Sequence, residues 1–129
     1  MLEPVRESYR TGVPLHWTRV NALPDYVYFD HSIHVAKGIG CATCHGRIDQ
    51  MPLTAKAQSL HMRWCIDCHR NPEPYMRPPD KVFDMTWEPS QGWTDPDTGK
   101  KYTTQDELGP VLVEKNAIKS KMSCNACHR

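Results

Sequence analysis

The stretch Phe29-Asp30-His31-Ser32-Ile33-His34-Val35-Ala36-Lys37-Gly38-Ile39-Gly40-Cys41-Ala42-Thr43-Cys44-His45 decides how this chain is read. Its last five residues are the attachment signature of c-type haem, in which two thiols add to the haem vinyl groups and the adjacent imidazole binds the iron. The signature returns as Cys65-Ile-Asp-Cys68-His69 and as Cys124-Asn-Ala-Cys127-His128, so the three copies use all six cysteines. A helical turn explains the spacing, because residues three and four apart share a face and can meet one porphyrin edge and its iron. The sequence thus implies three covalently bound haem c groups, with His45, His69 and His128 as proximal iron ligands.

Two Cys-x-x-Cys pairs, Cys41 with Cys44 and Cys65 with Cys68, also match a four-cysteine zinc ribbon. That alternative leaves Cys124 and Cys127 without a role and gives no reason for a histidine after every pair. Composition points the same way. With 39% hydrophobic residues, 11 prolines and a mean hydropathy of −0.65, the polypeptide is lean in apolar material for a single domain. Three macrocycles supply the missing bulk, as metals and disulfides do in other small chains. A net charge of +1 without a basic run excludes a nucleic-acid track.

Three irons accept up to three distal ligands, and the spare histidines are His16, His31, His34 and His61. His31 and His34 are three apart, on one side of a helical turn but displaced by about 60° and a rise of about 4.5 Å. Such a pair suits two neighbouring haems better than the two sides of one iron. The competing reading is a pair of surface histidines. Met62 is a further candidate, a thioether that raises the potential of its haem relative to a bis-histidine site. His61 beside it competes for the same role, and His16 next to Trp17 is more often a packed or half-exposed side chain.

In chain order, residues 1–28 read as an extended N-terminal segment, and residues 29–70 as a two-haem core. Residues 71–103 read as a proline-rich wrap and surface insertion with a loose hairpin about Asp95-Pro-Asp-Thr-Gly99, and residues 104–129 as a helix leading to the third motif. Tyr26-Val27-Tyr28-Phe29 is β-prone, with rings suited to a porphyrin face. Residues 55–64 are helix-compatible, Thr104-x-x-Glu107 is a candidate capping box, and Gly38 and Gly40 end the helix that carries His31 and His34. The expected fold is mainly irregular with a few short α-helices, wrapped around three covalent haems in one domain.

Phe29-x-His31-x-x-His34 followed by Cys-x-x-Cys-His resembles the class III multihaem cytochromes, a resemblance that implies His31 caps the haem of its own motif and His34 caps another. The runs Leu2-Glu-Pro-Val-Arg-Glu-Ser-Tyr-Arg-Thr-Gly12, Leu23-Pro-Asp-Tyr-Val-Tyr-Phe-Asp-His-Ser-Ile-His34 and Trp64-Cys-Ile-Asp-Cys-His-Arg-Asn-Pro72 further resemble the pentahaem cytochrome subunit of alternative complex III, a quinol:electron-acceptor oxidoreductase. This implies electron transfer within a respiratory complex, with iron–sulfur and membrane subunits as neighbours and a downstream cytochrome or oxidase as acceptor. It also implies a location on the extracytoplasmic, periplasmic face of the inner membrane. Residues 1–10 lack an apolar signal region, so the export signal and anchor are expected upstream of Met1, with membrane contact through partners. The alternative function is a multihaem reductase that keeps one iron open for a small nitrogen or sulfur oxyanion, with His61 and Arg63 handling protons and anions.

Overall fold

The computed structural model describes residues 2–128. Most of the chain is irregular. The helices are α1 (Glu3–Thr11), α2 (His31–Ala36), α3 (Cys41–His45), α4 (Met62–Arg70) and α5 (Gln105–Lys115), and β1 (Trp93–Thr94) pairs antiparallel with β2 (Lys101–Tyr102). Among the described residues no helix is long and apolar enough to cross a membrane.

The packed core belongs to the C-terminal half. Leu108 and Leu112 on α5 are 1% exposed and meet Met76, Trp87 and Tyr102, with Ile39, Trp93 and Val111 around them. Burying each leucine is worth roughly 1.5–3 kcal/mol, enough together to offset the roughly 3 kcal/mol cost of Pro110 inside the helix. Gly109 lets α5 lie directly on the 3-10 turn Glu73–Tyr75, where a Cβ would collide with the Glu73 carbonyl. The Gln105 side-chain amide donates to the carbonyls of Glu73 (2.6 Å) and Met76 (3.0 Å) and fixes the crossing.

This core holds the haem-motif half through backbone contacts. Ile39 forms an antiparallel bridge with Met76, Arg77 N–H donates to Gly38 (2.8 Å), and Cys41 N–H donates to Val82 (3.1 Å). Gly38 is needed there, since its φ of +87° disfavours other residues and a Cβ would sit 2.8 Å from the Arg77 carbonyl. Lys37 Nζ donates to the Asn116 carbonyl at 2.7 Å, joining the end of α2 to the end of α5.

Four sequence expectations change. The N-terminal segment is helical over Glu3–Thr11, not extended. Pro4 opens that helix, the Glu3–Arg6 and Glu7–Arg10 pairs lie along it, and Gly12 caps it at φ +71°. The helix expected over residues 55–64 starts only at Met62, because Leu60 takes a φ of +54° that breaks any helix through it. Residues 71–103 are no surface insertion: Met76, Val82, Trp87, Tyr102 and Asp95 are all buried. Thr104 is the N-cap residue of α5 but its hydroxyl makes no capping bond, so the capping box is not formed.

Asp95, 1% exposed, organises the hairpin. It accepts from Lys115 Nζ, from Asp97 N–H (3.1 Å) and from the Thr98 hydroxyl (2.9 Å), while Lys115 also reaches Asp97 at 2.7 Å. The Lys115 ammonium, with the Asp97 and Thr98 donors, holds the Asp95 carboxyl below its ordinary 3.8, and the two carboxylates hold Lys115 above 10.5. The depressed carboxyl contributes stability that is present above 3.8 and lost as pH falls through the folded value; the raised ammonium contributes below 10.5 and is lost as pH rises through its folded value. The thermal stability of the haem-loaded chain should therefore fall below about pH 4, and Asp95→Asn should lower Tm at pH 7 and flatten that acid limb. Equal acid slopes in both proteins would show that the network contributes nothing.

Candidate haem-binding site

Helix α2 starts at His31 because Asp30, in an extended conformation, accepts the Ser32 N–H at 2.8 Å. Hydrogen bonds from Ser32 also hold the Asp30 carboxyl below its usual value. The backbone carbonyl of the same residue lies 2.7 Å from His34 Nδ1. With the proton on Nδ1, that bond leaves the Nε2 lone pair free for a metal and limits rotation of the ring. Phe29 stands against both imidazoles, edge-on to His31 (4.8 Å) and tilted on His34 (4.6 Å).

Each α2 histidine meets a different motif. His31 and His45 have ring centroids 6.2 Å apart and planes within 8° of parallel; His34 and His69 are 6.0 Å apart and inclined by 59°. Two imidazoles bound to opposite sides of one metal, at about 2.0 Å per nitrogen and about 1.1 Å from nitrogen to ring centre, have centroids about 6.2 Å apart. The centroid separations of both pairs match that spacing, so by distance the residues present fit a haem iron between each pair. Helix α3 comprises the whole first motif, and α4 contains the second, so each pair of thiols shares a helical face with its proximal imidazole.

The third motif is built differently. Its Cys124–Ala126 is one 3-10 turn, with Cys124 exposed. It is held by Val27, which bridges to His128, and by Tyr28 N–H, which donates to Cys127 (2.7 Å). Tyr26 lays its ring beside His128 at 5.8 Å and 29°. The β-prone run thus clamps a proximal histidine, a role its alternation does not reveal. Among the described residues no ring contact joins His16 or His61 to His128. His16 is exposed, His61 is the N-cap residue of α4, and Met62 in the first turn is 64% exposed.

The thiols of the three motifs lie close enough to influence one another. Burial raises Cys44, with Cys65 and Cys41 adding to it; burial raises Cys65, with Cys127 adding. Cys68 is pushed up to about 11 by burial and by Cys44 and Cys65. Without haem, Cys44, Cys65 and Cys68 are thus held protonated at neutral pH, the form least prone to disulfide exchange. Among the described residues no three His, Cys, Asp or Glu side chains gather as a metal site of protein ligands alone, so the zinc-ribbon arrangement is not formed.

Two contacts have no sequence signal, since they join distant segments: the Asn21 amide lies 3.3 Å from His45 Nδ1, and the Ser120 hydroxyl donates to the His69 carbonyl at 2.9 Å. The Asp30 cap could have been read from an Asp placed just before the helix.

The family model described as cytochrome c7 and related cytochrome c matches residues 27–129. Comparison with individual curated proteins returned no match.

Replacing His31 or His34 by Ala should turn one low-spin haem high-spin in each variant, a different haem in the two, without loss of covalent attachment. Electron paramagnetic resonance of the oxidised protein measures this; an unchanged spin state in both variants would remove the two from the ligand set.

Proposed function

Because the chain belongs to the cytochrome c7 and related cytochrome c family, we propose that it carries three haems as an electron relay, with no catalytic residue of its own. The observation that carries this reading is the pair of imidazole contacts, His31 to His45 and His34 to His69, made from one six-residue helix. Bound haem supplies a one-electron Fe(III)/Fe(II) couple. The chain's residues do the rest: Cys41 and Cys44, Cys65 and Cys68, and Cys124 and Cys127 anchor the macrocycles. His31 and His34 close the first two sites against substrate, and α2 holds those sites beside one another. For the third site His128 is the proximal ligand, and the distal ligand comes from His61, Met62, His16 or outside the chain.

The finer reading is a subunit, or part of one, of a quinol-oxidising respiratory complex of the alternative complex III kind. There it takes electrons from an iron–sulfur subunit and passes them to a downstream cytochrome or oxidase at the extracytoplasmic face of the membrane. Besides the sequence resemblance, exposed apolar side chains of residues 2–29 support a docked role, among them Tyr9 (92% exposed) and Trp17 (78%).

A pyridine haemochrome assay should return three haems per chain, and carbon monoxide should leave the ferrous spectrum unchanged if every iron is six-coordinate. Fewer than three haems would sink the relay as proposed; a carbon monoxide shift in one third of the haem would favour the reductase alternative. Analytical ultracentrifugation of the haem-loaded chain without detergent should show self-association or binding to an iron–sulfur partner. A monomer across micromolar concentrations with no such binding would remove the docked role.

A further inference from the structure

We propose that Asn21 is a positioning residue for the first haem, accepting the Nδ1–H of His45 through its side-chain carbonyl and so setting both the orientation and the electron-donating strength of that proximal imidazole. The inference rests on the reading of His31 and His45 as one iron's ligand pair. Asn21 stands 24 residues before His45 and outside the stretch that matches the family model. Both side chains are half-buried, and the amide nitrogen Nδ2 lies 3.3 Å from Nδ1, with Oδ1 on the other arm of the same amide.

An imidazole that binds iron through Nε2 carries its proton on Nδ1, so the partner at Nδ1 has to accept. A primary amide offers an acceptor and a donor in nearly the same shape, and turning it over places Oδ1 on the imidazole without moving the backbone. Asn21 is the only hydrogen-bond partner of the His45 ring among the described residues. His34 has the equivalent contact from the backbone carbonyl of Asp30, the N-cap residue of its helix, at 2.7 Å. The two histidines are thus oriented by different means, a local backbone carbonyl on α2 and a side chain from a distant segment on α3.

A neutral amide is a weaker acceptor than a carboxylate, so Asn21 leaves the imidazole only moderately basic. Asn21→Asp strengthens the acceptor, makes the imidazole a better donor to Fe(III), and lowers the potential of that haem. Asn21→Leu removes the acceptor at similar size and raises it. Partners of this kind change metal affinity by about 10–100-fold on mutation. A tenfold change in the ratio of Fe(III) to Fe(II) affinity corresponds to about 59 mV for a one-electron couple.

The test is a spectroelectrochemical titration of the haem-loaded wild type, Asn21→Asp and Asn21→Leu, with the first haem identified as the one that turns high-spin in His31→Ala. Shifts of that haem in opposite directions, with the His34–His69 haem unmoved, are the expected result. Loosened structure alone would move both variants the same way, and that outcome, or no shift in either, overturns the proposal. If Asn21→Leu fails to load haem, Asn21→Ser serves as the weakened acceptor beside Asn21→Asp. A wild type that loads no haem would instead defeat the electron-relay reading.

Discussion

Two histidines three residues apart on one helical turn point far enough apart that they cannot close the two sides of one iron. As metal ligands they suit two metals, and in the proposed relay the arrangement of the haem-motif half depends on that constraint. Because His31 faces His45 and His34 faces His69, the position of α2 sets the first and second motifs relative to each other. An isolated six-residue helix does not persist in water. Its stability is borrowed from the Asp30 cap, from the Lys37–Asn116 contact, and from the Ile39–Met76 bridge to the C-terminal core.

The chain divides its sources of stability unevenly. Helices α1 to α4 contain no buried residue, whereas α5 buries Leu108, Gly109 and Leu112. The haem-motif half therefore has little side-chain core of its own, and covalent haem is the apolar material that completes it. The half richer in proline and turns is the one that packs by itself. Its Asp95–Lys115 network ties the hairpin to α5, so a buried carboxylate is matched by an ammonium and by further donors. The C-terminal half gives the first motif a backbone footing at Cys41, and a fixed ligand geometry keeps the reorganisation of an iron small when an electron arrives.

The three motifs also differ in how their proximal imidazoles are supported. His45 has a side-chain amide beside it, the His69 carbonyl takes the Ser120 hydroxyl, and His128 is clamped between a β-bridge and the face of Tyr26. Chemically identical Cys-x-x-Cys-His units thereby acquire distinct surroundings. Hydrogen bonding, burial and nearby rings are the means by which a protein separates the potentials of like haems.

Local chemistry was legible in the sequence wherever neighbours in the chain decide it. The attachment signatures, the His31 and His34 spacing, the turn at Asp95 to Gly99 and the start of α5 after Thr104 depend on residues within four or five positions of one another. The mainly irregular fold with a few short helices was legible too, from the prolines and the lean composition. Even the α1 helix left local marks, Pro4 near its start and Gly12 at its end, which its polar character outweighed. What only the tertiary structure decided are contacts between distant segments: Trp87 and Tyr102 buried against α5, Val27 bridged to His128, and the Asn21 amide beside His45. No periodicity encodes these, because each depends on how two separately formed pieces meet. Burial in so small a chain is a property of that meeting and not of the residue alone.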